Sequence, residues 1–393
     1  TVFCFKSNGI QADNKNQFKI SILTIGEGSD LVDAFGHSAI RVRNLNKTID
    51  EVFNFGVYDF NAPNFILNFI KGRPQYKLDT ESYFDFTQKY IYEERYIIEQ
   101  ELNLDKNSTN QIIKLLSENL KEPNYTYDYL KDNCATRVAD IIVVRLNNIF
   151  NEKSLYNLDK NDEINSQSNY TFRKLIHSKI SENTWGALGI DICLGAIIDK
   201  DISLRETFFL PEYIMNFLTD FENKNSNLVT KKIIYEPLNR TRYSENIPSP
   251  LFVISFLSII FIIISIIDFK NANWTKLMDY IIFGFTGLIG ILVIYLWFFS
   301  NHFAGSQNYN FLWAFPLNII LIYNISKKNI PKWTISYIKF LIILIILLFL
   351  HWITGVQKYN ISLLPLFIAL IFRYLFLINH INKIKNENLY KKR

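Results

Sequence analysis

The chain has 393 residues, 49% of them hydrophobic and only 20% charged, with 42 Lys and Arg against 37 Asp and Glu. From Pro248 onward there are 13 Lys and Arg and 3 Asp and Glu, which leaves 29 against 34 before it, so a half of net charge −5 precedes one of +10. This split excludes a uniformly soluble protein, the lack of basic excess in the first half argues against a nucleic-acid partner, and three cysteines exclude a disulfide scaffold.

Residues 1–17 open Thr1-Val2-Phe3-Cys4-Phe5. They fit either the remnant of a secretion signal or an arbitrary start. Cys4 is not a lipobox cysteine, because Phe3 stands where a small residue should. Residues 18–222 are expected to form an extracytoplasmic α+β domain. Strands are expected at 18–25, 38–43, 51–55 and 95–102, which are rich in β-branched and aromatic residues. Asn107 or Ser108 can cap a helix running to about 121, with Ile112, Ile113, Leu115 and Leu116 on its apolar face. A second helix is expected after Asp132 or Asn133, running to about 147. Strands first and helices after them favour α+β over a doubly wound sheet. Residues 151–169 are polar and read as a loop. Helix resumes over 170–222, where the apolar stripe reads as core ahead of a membrane-surface helix. Residues 223–247 read as a linker.

Five apolar stretches follow, at about 248–267, 280–299, 311–325, 335–351 and 361–379. A spanning helix needs about 20 apolar residues. The third stretch, with Pro316 and Asn318, is the weakest, and it counts as a span because the charge pattern needs it. With the N-terminal domain outside, the inner loops hold Lys270, Lys276, Lys327, Lys328, Lys332, Lys383, Lys385, Lys391, Lys392 and Arg393, and the outer loops hold only Lys358. That asymmetry predicts a cytoplasmic C-terminus.

No G-x-S-x-G elbow, H-E-x-x-H, Walker A or dinucleotide glycine motif is present. Cys134, in Asp132-Asn-Cys-Ala-Thr-Arg137, falls in the first turn of a helix. There the dipole and free N–H groups favour a thiolate and can hold an oxyanion. A buried structural cysteine is the competing reading. Cys193 sits among apolar neighbours and reads as structural. His37, in Phe35-Gly-His-Ser-Ala-Ile-Arg41, is the natural base for Cys134, with Gly36 leaving room beside it. A histidine base needs a third group to hold its tautomer. Asn54 is the first candidate and Asp59 the second. The His302–Pro316 stretch is the dense polar–aromatic cluster of the membrane half. It reads either as substrate contact or as an aromatic belt. His177 and His380 read as surface residues.

The blocks Ser21-Ile-Leu-Thr24, Phe35-Gly-His-Ser-Ala-Ile-Arg41, Asn54-Phe-Gly-Val-Tyr-Asp-Phe60 and Asp132-Asn-Cys-Ala-Thr-Arg137 resemble the Lnb-type extracytoplasmic domain of Bacteroidota. Thr171-Phe-Arg, Phe209-Leu-Pro and Asn308-Tyr-Asn-Phe-Leu-Trp-Ala-Phe-Pro316 are similar to it as well. The resemblance implies a permuted papain-like (NlpC-type) fold. It also implies lipoprotein N-acylation in a bacterial inner membrane, with Cys134 taking an acyl chain from a phospholipid and passing it to the α-amine of a diacylated lipoprotein. His37 and Asn54 would complete the catalytic set. Ser38, Asp59, Asn133, Arg137, His302, Asn308, Asn310 and Trp313 are the expected substrate contacts. The expected partners are phospholipid donor, lipoprotein acceptor and membrane lipids, with no cofactor, metal or nucleic acid. A membrane-anchored peptidoglycan amidase and a non-enzymatic sensor or transporter remain as alternatives.

Overall fold

The computed structural model describes residues 18–46, 48–59, 61–149, 170–224, 229–327 and 329–390. Segment 1–17 and the polar loop 151–169 lie outside the described residues, as do Lys328, Lys391, Lys392 and Arg393 of the loop-charge pattern.

The first half is built on one antiparallel sheet. Its strands are β1 (Phe18–Ile25), β2 (His37–Asn44), β3 (Asp50–Val57), β4 (Gln75–Ser82), β5 (Ile97–Leu102), β6 (Asn124–Thr126) and β7 (Val229–Tyr235), in the order β6-β4-β3-β2-β1-β5-β7. The helices around it are α1 (Phe65–Ile70), α2 (Tyr83–Tyr92), α3 (Lys106–Lys121), α4 (Cys134–Ile149), α5 (Phe172–Lys179), α6 (Trp185–Cys193), α7 (Leu204–Thr207) and α8 (Pro211–Lys224). β1 is buried from Ile20 to Ile25 because both faces of the sheet are covered. Ile20 and Ile22 pack with Ile112, Leu116, Val138 and Ile142 of α3 and α4. Leu23 and Ile25 pack with Phe86 and Tyr90 of α2 on the other face.

Several expectations shift. The cap of α3 is Asp105, whose side chain accepts from the Ser108 N–H, rather than Asn107 or Ser108. The segment read as a linker contributes β7, an edge strand paired with β5. Its lysines are the kind of residue that keeps an exposed edge from pairing further. The 170–222 region is core for the most part, with Phe172, Leu175, Ile176 and Leu210 in one buried cluster. α6 also docks on the membrane half through Leu188.

The second half contains α9 (Pro250–Asn271), α10 (Lys276–Phe298), α11 (Asn318–Ser326), α12 (Trp333–Ile353) and α13 (Leu364–Tyr390). Four helical stretches among the described residues are long and apolar enough to cross a membrane, namely α9, α10, α12 and Ile361–Ile384. The third expected span is not one continuous helix. It forms a 3-10 turn at Tyr309–Leu312, breaks at Pro316, and resumes as the nine-residue α11. Proline lacks the N–H and disfavours helix in the residue before it. The broken segment still runs antiparallel along α10. Ala314 and Pro316 lie against Gly290, and Ser326 Oγ donates to Tyr280 Oη at 3.1 Å. A Cβ on Gly290 would collide with the Ala314 carbonyl, so glycine is what lets irregular backbone lie against the helix. Irregular backbone at membrane depth is tolerated where protein covers it. Asn318 meets that need by donating to Thr286 Oγ1 (2.8 Å) and accepting from Tyr337 Oη (2.7 Å).

Arg373 of α13 is fully buried among these helices. It donates to Asp279 at 2.7 and 2.8 Å and to Asp268 at 2.8 Å, joining α13 to α10 and α9. Removing one partner of such a buried pair leaves an uncompensated charge and costs about 3–5 kcal/mol.

Candidate active site

α4 begins at Cys134 because Asn133 caps it. Asn133 Oδ1 accepts from the Thr136 N–H (2.9 Å), and Thr136 Oγ1 accepts from the Asn133 N–H (2.7 Å). Both Nδ2 hydrogens of Asn133 are committed as well, to the carbonyls of Tyr129 (2.8 Å) and Phe209 (2.9 Å). The side chain expected to touch substrate is therefore spent on holding the helix start. Cys134 itself is 8% exposed. The backbone N–H groups of Ser38, Ala135 and Cys134 bear on its sulfur and favour the thiolate, but burial outweighs them and the thiol pKa is raised. Desolvation thus overrides the helix-dipole lowering expected from sequence.

Gly56 lies next to Cys134. It has φ +89°, and a Cβ there would lie 3.4 Å from Cys134 Cβ and 3.6 Å from the Tyr127 ring. A side chain would be strained by that φ, although its Cβ would meet these neighbours only at ordinary contact distance.

His37 opens β2, one residue before the Ser38 N–H that touches the sulfur. Its Nε2 lies 2.7 Å from Asn54 Oδ1 on the neighbouring strand β3. Asn54 Nδ2 in turn donates to Glu81 Oε1 of β4 at 3.1 Å. With the amide oriented by Glu81, Oδ1 faces the ring, so Nε2 carries the hydrogen and Nδ1 is the free base. The ring sits beside Phe86 and Tyr90, with centroids 6.4 and 6.2 Å away. Burial pushes its pKa down to about 4, against the opposing hydrogen bond to Asn54. At neutral pH the pair is an uncharged thiol and an uncharged imidazole. Glu81 has no recognisable motif in the sequence. Only the pairing of β3 with β4, which sets it opposite Val52, brings it into line behind Asn54.

The other expected residues are placed as follows. Ser38 is fully buried, and its Oγ has no partner; nor do Oγ1 of Thr24, its cross-strand neighbour, and Tyr125 Oη. Asp59 is exposed and accepts from the Asn61 N–H, in a turn, whereas His37 is bonded to Asn54. Arg137 pairs in bidentate fashion with Asp132 and lies 4.0 Å over the Tyr125 ring. His302 Nε2 meets the Phe69 carbonyl at 2.9 Å.

Asn308, Asn310 and Trp313 are neither exposed to substrate nor part of an aromatic belt. All three are at most 1% exposed. Asn308 Nδ2 donates to the Ile192 and Cys193 carbonyls (2.9 and 3.0 Å), and Asn310 Nδ2 to that of Asp191 (2.9 Å). Trp313 Nε1 donates to Asn310 Oδ1 at 2.9 Å. They close the carbonyl-rich C-terminus of α6, which would otherwise be left unpaired on burial. Asp191 extends the clamp: its carboxylate receives Arg173 (2.6 Å), Asn360 (2.9 Å) and a 3.0 Å contact from His177, which is partly buried here rather than a free surface residue. His380 is half-buried between Trp274 and Phe376. No group of three or more His, Cys, Asp or Glu among the described residues is arranged to hold a metal ion.

Residues 7–173 match the family model of the Lnb N-terminal periplasmic domain, and residues 242–385 match that of the Lnb transmembrane domain. No curated protein and no solved structure matches the chain. The two matched regions take in the strands that carry His37 and Asn54, the helix that begins at Cys134 and the helices of the second half, and the chain belongs to the Lnb family of membrane proteins, with an N-terminal periplasmic domain followed by a transmembrane domain.

Proposed function

We propose that this member of a lipoprotein-modifying family is a lipoprotein N-acyltransferase of the inner membrane, working through a Cys134 thioester. The observation that carries the reading is a buried cysteine at the first position of α4, packed in the core under the sheet whose strands hold His37 and its partner Asn54. The order of a strand-borne His, a strand-borne Asn and a helix-borne Cys supports the permuted papain-like reading of the domain. The distribution of Lys and Arg supports a cytoplasmic C-terminus.

In the first step His37 Nδ1 takes the thiol proton as Cys134 Sγ attacks a phospholipid ester carbonyl. The C–S bond forms, the ester C–O bond breaks, and the leaving glycerol oxygen takes the proton from His37. A lysophospholipid departs. In the second step the α-amine of a diacylglyceryl-cysteine lipoprotein attacks the thioester. A C–N bond forms, the C–S bond breaks, and His37 carries the proton lost by nitrogen to the sulfur. The two-step route replaces one difficult transfer with two easier ones. Backbone N–H groups at the helix start would hold the developing oxyanion, a contribution of about 10²–10³ in rate for one such donor. Keeping both partners uncharged at rest protects the thiol, since the thiolate is the reactive form.

The test uses the full-length protein in phospholipid vesicles, with intact-mass analysis and a diacylglyceryl-cysteine peptide as acceptor. The expected result is an acyl adduct on the wild type, none on Cys134→Ser, and one extra acyl chain on the peptide. An adduct that survives Cys134→Ser places the nucleophile elsewhere. Cleavage of muropeptides without any adduct would establish the amidase instead.

A further inference from the structure

α1, with sequence FILNFI, is too apolar for a helix that faces water. Ile66, Leu67, Phe69 and Ile70 are exposed by 70, 47, 39 and 46%, so four of its six residues present large apolar surface. A soluble domain rarely leaves such a patch uncovered. The location explains it. The end of α1 is bound to the loop that follows α10, with the Asn301 N–H donating to the Lys71 carbonyl (2.9 Å) and His302 Nε2 against the Phe69 carbonyl (2.9 Å). Phe298, the last residue of α10, and Phe299 after it are themselves 61 and 72% exposed. The apolar face of α1 therefore continues the lipid-facing surface of a spanning helix. Lys71 and Arg73 follow directly and are exposed, as expected of a segment lying among phospholipid phosphates.

A line of aromatic rings leads inward from this helix. Phe69 and Tyr129 have centroids 6.3 Å apart, and Tyr129 and Tyr127 5.2 Å. Tyr127 and Cys134 both flank Gly56, within 3.6 and 3.4 Å of where its Cβ would stand. We propose that α1 is seated in the outer leaflet of the bilayer, and that the Phe69–Tyr129–Tyr127 line is the apolar track along which an acyl chain of a leaflet phospholipid reaches Cys134. The track rests on the thioester reading above; the seating of α1 does not.

Two measurements on the full-length protein separate these parts. A benzophenone amino acid replaces Ile66, or as a control Leu45, which is also exposed but lies just past the far end of β2, and the protein is placed in phosphatidylethanolamine–phosphatidylglycerol nanodiscs. Irradiation is expected to give a phospholipid mass adduct at 66 several-fold above that at 45. Equal labelling, or crosslinking at 66 to protein alone, overturns the seating. The rate of Cys134 acylation is then measured for Tyr129→Ala and Phe69→Ala with a vesicle phospholipid and with a short water-soluble ester. The ratio of vesicle to soluble rate is expected to fall about tenfold, the worth of one lost aromatic contact. Rates that fall together with both donors overturn the track and leave these residues a structural role. A wild-type protein that neither donor acylates overturns the thioester reading and the track with it, while the photo-adduct still decides the seating.

Discussion

The polar groups around Cys134 and those around Asn310 are both buried, yet they are satisfied to different degrees. At the clamp every polar atom of the Asn308, Asn310 and Trp313 side chains is bonded, and Asp191 receives Arg173, Asn360 and His177. Beside Cys134, the Ser38, Thr24 and Tyr125 hydroxyls have no partner, and burial moves both His37 and the thiol away from their charged forms. The fully paired Asn308–Asn310–Trp313 core of the clamp is what a rigid joint needs, because each buried group left unpaired costs about 1–3 kcal/mol; only at its edge does His177 Nδ1 lack a partner. A site that must accept a reacting group cannot have all its donors and acceptors committed beforehand. On the proposed reading, the same residue types, asparagine and histidine, would serve joint and chemistry according to whether their bonds are already spent.

This contrast can be broken in three ways. The largest effect is expected from His37→Ala, which should slow Cys134 acylation about 10³-fold, the range of a lost general base. A fall of less than tenfold would mean that the thiol is activated by its N–H contacts alone. Next comes acid stability. The ordinary imidazole pKa of 6.5 is lowered to about 4 in the folded chain, so folding favours the neutral ring. That contribution is fully present above pH 6.5 and is lost as pH falls through the window down to about 4. The loss amounts to about 3 kcal/mol. Thermal melts of wild type and His37→Gln at pH 7 and pH 4 should show a steeper loss for the wild type, and parallel losses would count against a buried neutral His37. The smallest effect is expected for Asn310→Ala, about 2 kcal/mol in stability, because Asn308 still bonds the Ile192 carbonyl. Its acylation rate per folded molecule should stay near wild type. A variant that melts normally but no longer acylates would turn the clamp into a site and end the distinction.

Much of the catalytic half was legible in one dimension. β1, β2 and β3 announce themselves because β-branched and aromatic residues suit a covered sheet. His37 and Cys134 stood out since a Gly-His at a strand start and a Cys just after an Asn cap are local patterns. β4, β6 and β7 were not legible: QYKLDTES and VTKKIIY mix charge with apolar residues and become strands only through their neighbours. Glu81 was missed for the same reason. Asn308, Asn310 and Trp313 looked like a polar patch at membrane depth, and nothing in their spacing shows that they answer α6, more than 100 residues earlier. Arg373 carries no signal in the sequence, because its partners Asp268 and Asp279 come from two other helices.

By itself the sequence determined the division into a water-facing and a membrane-facing half, because the hydrophobic cost of each residue acts locally and sums along a segment. It determined the chemical candidates too, since few residues are nucleophiles or bases. Tertiary structure alone decided that His37 takes Asn54 rather than Asp59, that burial outweighs the helix dipole at Cys134, and that the third expected span is broken where it lies against Gly290. Each of these turns on short-range contact between residues distant in the chain, and hydrogen bonding, desolvation and steric exclusion act only when the groups meet.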